Sequence, residues 1–243
     1  MPKVLVSPVA FNEKLKLRSV IERYIHSSAY GLYDYMVVDD GSTDGTVELL
    51  AEYSSRGVRT LRHDRQKGVG AAIRTAISYA RENGYEFLVI MAGNDKDNPD
   101  EIAGLLAPAI NDGYDFVQGS RYKGANGVGG DMPFYRKVAT RMHPRLMSFI
   151  TGVHVTDSTN GFRVIRLKML EDRGFDINQD WLDHYELEPY LMFKCIRLGY
   201  RFKEVFVTKI YPSRKLGYTK MRPIFGWWSI LRPLFLLGLG IKK

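Results

Sequence analysis

The sequence has one cysteine, Cys195, among 243 residues, which excludes an internally stapled secreted scaffold and points to a reducing compartment. It has no internal repeat and no low-complexity stretch. The N-terminal run MPKVLVSPVAFNE carries one basic residue and only a short apolar stretch, so it does not read as a signal peptide. No G-x-G-x-x-G follows the first strand-like run and no G-x-x-x-x-G-K-[ST] occurs anywhere, which excludes the usual dinucleotide and P-loop readings. The five histidines show no H-x-x-x-H spacing, so a zinc site is not expected. The most apolar segment, residues 223–241, holds twelve large apolar residues in nineteen, but Arg232-Pro233 interrupts it. A spanning helix wants roughly 20 uninterrupted apolar residues.

What is present is ordinary globular material: 45% hydrophobic, 26% charged and 12% aromatic. The net charge of +8 is uneven. From Lys194 onward twelve Lys/Arg face one acid, Glu204, leaving +11 there and −3 over the first 193 residues. A basic tail on a near-neutral body suits an anionic partner such as phosphate or acidic lipid; no recognised nucleic-acid module accompanies it.

Short apolar runs alternate with helical patterns through the first half. KVLVS, YMVV, Val58–Leu61, FLVIM and Phe116–Gln118 read as strands. Helical periodicity covers Glu13–Ser28, Thr43–Arg56, Gly68–Asn83 and Pro99–Asn111 between them. Beyond Tyr122 a Gly-rich loop leads to predicted helices over Phe134–Thr151 and Tyr185–Leu198, with extended runs at Phe162–Ile165 and Phe202–Thr208. The pattern implies an α/β fold with a mostly parallel sheet covered on both faces, so ligands are sought at the carboxyl ends of the strands. Polar clusters stand at three of those ends: Pro8 to Glu13, Asp39 to Thr46, and Ala92 to Pro99. Each alone is explicable as a turn or helix cap. Three in one sheet point instead to a nucleotide or a cation held by hard oxygens.

These residues resemble the nucleotide-sugar half of family 2 glycosyltransferases of GT-A fold. The likeness rests on P-x-x-N-E at 8, 12 and 13, VVDDGSTDGT at 37–46 and Lys67-Gly68-x-Gly70-Ala71-x-x-Arg74. Gly119-Ser120-Arg121-Tyr122, Asp157–Arg163 (DSTNGFR), Arg197–Val205 and Arg214-x-x-Gly217-x-Thr219-Lys220 resemble the dolichol- and polyprenyl-phosphate sugar synthase branch. The resemblance implies inverting transfer from a GDP- or UDP-linked sugar with Mg²⁺ or Mn²⁺. It places Pro8, Ala10, Asn12, Glu13, Asp39, Asp40, Ser42, Lys67, Arg74 and Gly93 at the nucleotide sugar. The family's D-x-D after the fourth strand falls on Ala92-Gly93-Asn94, so Asn94, Asp95 and Asp97 become the metal candidates. A catalytically impaired nucleotide-sugar binder is the reading this departure invites.

On the acceptor side two enzyme readings stand. A hydroxyl of a growing glycan needs a general base, for which Asp157 and Glu188 are candidates. A polyprenyl phosphate arrives ionised and needs positive charge, for which Arg121, Arg163, Arg214 and Lys220 are candidates; Arg163 is alternatively a structural partner of Asp157. The expected organisation is a GT-A body over 1–222, with a nucleotide-sugar lobe over 1–120 and an acceptor lobe over 121–222. A tail helix over 223–243 either lies on the anionic, cytoplasmic face of a membrane or packs on the body or on a second copy in a homo-oligomer.

Overall fold

The computed structural model describes residues 2–211 and 223–242. Seven strands form one sheet: β1 (Val4–Ala10), β2 (Asp34–Asp39), β3 (Val58–Arg62), β4 (Phe87–Ala92), β5 (Phe116–Ser120), β7 (Arg163–Arg166) and β8 (Phe202–Phe206), in the order β3-β2-β1-β4-β7-β5-β8. Strands β6 (Val128–Gly130) and β9 (Lys209–Tyr211) make a separate parallel pair. Helices α1 (Lys14–Ile25), α2 (Thr46–Glu52), α3 (Val69–Glu82), α4 (Ile102–Asn111), α5 (Phe134–Thr151), α6 (Leu187–Arg197) and α7 (Pro223–Gly238) complete the chain.

The continuous apolar runs form strands because both faces are covered. Successive residues of β4 divide between two cores, with Leu88 and Ile90 in one and Phe87, Val89 and Met91 in the other. The first core joins α3, α6 and α7 through Ile73, Ile77, Tyr190, Leu234 and Leu237. The second joins α1, α2 and α4 through Leu17, Ile21, Leu49 and Leu105.

Three details lie beyond the sequence pattern. Strand β7 runs antiparallel to both β4 and β5, a direction that apolar content alone does not encode. The Gly-rich loop contributes β6, whose residue Gly130 at φ 74° passes so close to Tyr211 that a Cβ would lie 2.1 Å from its carbonyl oxygen. Arg232-Pro233 does not break the tail, because α7 continues through Pro233 to Gly238. Loss of one helical hydrogen bond there is outweighed by burial of Leu234 and Leu237, worth about 1.5–3 kcal/mol each.

A buried histidine ties α7 to α5. His143 Nε2 donates to the Ile230 carbonyl at 3.1 Å, and its Nδ1 lies 2.6 Å from Ser158 Oγ. Burial pulls this imidazole down to about 4, against the raising influences of the Ile230 carbonyl and Asp157. The unfolded chain therefore binds the extra proton between pH ~6.5 and ~4, so stability falls as pH drops through that window, by roughly 3 kcal/mol from this group. Urea denaturation across the window is expected to show this slope in the native chain and not in His143→Gln. Parallel pH profiles for the two would refute the latch.

Candidate functional site

A cleft of about 690 Å³ opens at the carboxyl ends of β1 and β4, a size suited to a nucleotide-like ligand. The β1–α1 and β2–α2 loops are stitched together beside it. The Asn12 amide donates to Ser42 Oγ at 2.8 Å, and the Thr43 amide donates to Asn12 Oδ1 at 2.7 Å. Asn12 holds left-handed backbone at φ 51°, which asparagine tolerates better than most residues. Asn12 and Ser42 therefore build the wall from behind, while Ala10, Glu13 and Asp40 line it. Pro8 is buried within β1 opposite Met91.

The two adjacent aspartates differ. Asp40 Oδ1 accepts from the Lys67 amide at 2.8 Å and from His63 Nδ1 at 2.7 Å, and its Oδ2 accepts from the Gly68 amide at 2.8 Å. It fixes the turn that starts α3. Asp39 is fully buried; Oδ1 accepts from the Ser42 amide at 3.2 Å, and Oδ2 has no hydrogen-bond partner, with Arg62 Nε 3.4 Å away. An orphaned buried acceptor of this kind is a place for a ligand donor.

The glycines of the 68–70 turn are required by close approach. A Cβ on Gly70 would lie 2.0 Å from the Leu182 carbonyl oxygen. Arg74, one turn further, pairs with Asp183, and Lys67 pairs with Asp64 at 3.1 Å. Neither side chain lines the cleft, so the structure gives both of these expected donor contacts other partners.

On the acceptor side, Asp157 is fully buried and accepts from Arg121 Nε at 2.6 Å, Arg121 Nη2 at 2.7 Å and the Arg121 amide at 3.1 Å. Burial opposes both charges, but each is held by the other: Asp157 falls below the ordinary carboxylate range and Arg121 rises above its own. Arg121, rather than Arg163, is thus the partner of Asp157, and it also donates to Tyr211 Oη at 2.8 Å. Arg163 is buried and donates to Glu188 Oε1 at 2.9 Å; burial lowers it, against Glu188. Of these four, Arg121 and Glu188 line the cleft, and Asp157 and Arg163 support them from behind.

The loop after β4 departs most from expectation. Gly93 and Asn94 line the cleft, but Asp95 turns to Arg23 at 2.9 Å. Asp97 accepts from the Ala92 amide at 3.0 Å and from Lys209 Nζ at 2.6 Å. The cleft instead receives Lys96, which is 5% exposed. Burial first, then Arg136, Lys209 and Lys16, pull its ammonium down to about 7, against Asp97. Lys96, Arg136 and Lys209 escaped the sequence reading, which weighed only the acids of that loop. The calls on Arg214 and Lys220 lie outside the described residues.

Two surfaces flank this site. The helix α5 exposes Phe134, Val138, Met142 and Phe149 at helical spacing, interleaved with Lys137, Arg141 and Arg145. On α7, Trp228 and Phe235 are exposed, their rings stacked 6.4 Å apart, and Leu239 is exposed just beyond the helix. Among the described residues no helix is long and apolar enough to cross a membrane.

Residues 8–174 match the model of glycosyl transferase family 2. A polyprenol monophosphomannose synthase of Mycolicibacterium smegmatis is 30% identical over 222 residues, covering 90% of this chain and 81% of that protein. An undecaprenyl-phosphate mannosyltransferase of Micrococcus luteus is 32% identical over 193 residues, covering 77% and 75%. Glucosyl-3-phosphoglycerate synthase from Mycobacterium tuberculosis, solved with Mn²⁺, uridine diphosphate and phosphoglyceric acid, superposes with a TM-score of 0.69 at 18% identity, covering all of this chain and 80% of that one. The same enzyme was also solved with Mg²⁺ and uridine diphosphate. That likeness is one of fold.

Proposed function

The chain belongs to glycosyl transferase family 2, and from that premise we propose that it moves a sugar from a nucleoside-diphosphate sugar to a polyprenyl (dolichyl-type) phosphate. An oxygen of the acceptor phosphate attacks the anomeric carbon, the bond from that carbon to the diphosphate breaks, and the nucleoside diphosphate leaves with inversion. The observation that carries the reading is the engagement of the cleft's carboxylates. Glu13 holds Lys16, Asp40 holds the turn before α3, Glu186 holds Arg232 and Glu188 holds Arg163. Lys96 and Arg136 meanwhile stand in the same wall, beside Arg121 paired with Asp157 and Lys209 paired with Asp97. Such a cleft suits an acceptor that arrives already ionised, because it needs positive charge and no base.

The donor end is formed by Ala10, Glu13, Asp40 and Gly93, with Asp39 buried behind it beside Arg62. The exposed apolar stripe of α5, interleaved with Lys137, Arg141 and Arg145, and the exposed Trp228 and Phe235 of α7 support peripheral attachment to the anionic cytoplasmic face of a membrane, where a polyprenyl chain resides. The second enzyme reading, transfer to a glycan hydroxyl, is favoured by one observation: Glu188 reaches the cleft wall.

The test is radiolabel transfer from UDP- and GDP-sugars to a short polyprenyl phosphate and, separately, to simple sugars. The lipid product alone is expected. Transfer confined to the sugars would replace this acceptor with a hydroxyl.

A further inference from the structure

The residues after β4 do not suit a divalent ion. Asn94 is the one candidate ligand in the cleft wall, a neutral amide whose buried Oδ1 has no hydrogen-bond partner. Asp95 sits on left-handed backbone at φ 58° and directs its carboxylate to Arg23. Asp97 uses one oxygen for the Ala92 amide and the other for Lys209. Among the described residues no three His, Cys, Asp or Glu side chains gather closely enough to hold a metal. A dication brought to this loop would meet positive side chains instead.

Those side chains converge on one ring. Lys96 Nζ lies 5.3 Å from the centre of Tyr211, and the Arg136 guanidinium lies 5.7 Å from it. Lys209, two residues before Tyr211, is fixed between Asp97 and Asn160 Oδ1, each at 2.6 Å. The backbone locks the two segments together, since the Ile210 amide donates to the Lys96 carbonyl at 3.0 Å. Lys209 is balanced by Asp97, and Lys96 and Arg136 stand beside that pair in the cleft wall.

We propose that Lys96 and Arg136, positioned by the Lys209–Asp97 pair, form the diphosphate subsite of the donor and stand in for a divalent ion. The proposal rests on the nucleotide-sugar reading and specifies how that site neutralises its ligand. The developing charge of a leaving diphosphate needs preorganised positive charge, and fixed ammonium and guanidinium groups meet that need as a metal does.

Calorimetry on the full chain tests it, with UDP and GDP as ligands in EDTA and in excess Mn²⁺, and with uridine and guanosine as controls. The preferred diphosphate is expected to bind equally well in both buffers. Lys96→Gln, checked for folding by circular dichroism, should weaken the diphosphate by roughly 10- to 100-fold, the loss of one charge-assisted contact, and leave the nucleoside unchanged. Binding that appears only with Mn²⁺ would overturn the substitution of the ion and leave the glycosyltransferase reading intact. Absence of binding in either buffer would overturn the donor site itself, and this proposal with it. The EDTA comparison on the native chain decides the matter even if the variant does not fold.

Discussion

Asp157→Asn is expected to lower unfolding free energy by about 3–5 kcal/mol at pH 7, the cost of stranding a buried charge. Arg121 is 3% exposed and draws two side-chain contacts and one backbone contact from that carboxylate. Asp157 is in turn seated by Glu204, which accepts from the Asp157 amide at 2.8 Å and the Thr156 amide at 2.9 Å. Because the folded carboxyl lies below its ordinary range, its contribution is complete above pH ~3.8 and is lost only as pH falls below that. Removing both partners together, in Asp157→Asn with Arg121→Met, should recover much of the loss, since no charge is then left unpaired. Urea denaturation of the three proteins measures it. A different result would restore Asp157 to the chemistry: unchanged stability with a rate reduced roughly 10²- to 10⁴-fold, the signature of a lost base.

That pairing marks where sequence reasoning stops. The DSTNGFR run announced a site, but which arginine meets Asp157 depends on how β5 and β7 lie side by side, 36 residues apart in the chain for Arg121 and Asp157. Periodicity placed the strands of the first half and the span of α5, because burial on one or both faces dictates residue spacing. It carried no sign of strand direction, so β7 and its reversal had to be seen. Asn12, Ser42 and Asp40 do stand around the cleft, yet their polar atoms mostly hold loops to one another. Lys96 shows the limit most sharply. A lysine between two aspartates reads as a solvated charge, and only the fold sends both acids to outside partners and the ammonium into the cleft. The exposed stripe on α5 was likewise hidden, since an apolar helix face reads as core until its side chains are seen exposed.

Arg214→Ala and Lys220→Ala are each expected to reduce transfer to polyprenyl phosphate by roughly 10- to 100-fold, the worth of one charge-assisted phosphate contact. Both residues lie outside the described part of the chain, but Tyr211 and Gly226, on either side of them, line the cleft. The described residues that flank the basic segment in the chain therefore belong to the site it is proposed to serve. Glu188→Gln provides the contrast. Its carboxylate already accepts from Arg163, and an ionised acceptor has no proton to surrender, so the rate with lipid phosphate should change little. With a hydroxyl acceptor the order inverts: Glu188→Gln would cost roughly 10²- to 10⁴-fold while the two basic variants stayed near the native rate. Initial rates of the four proteins at saturating donor, against polyprenyl phosphate and against sugar acceptors, separate the two. A native-like rate for Arg214→Ala and Lys220→Ala beside a crippled Glu188→Gln would show that the nucleophile is made in the cleft by losing a proton, and that the acceptor is a glycan.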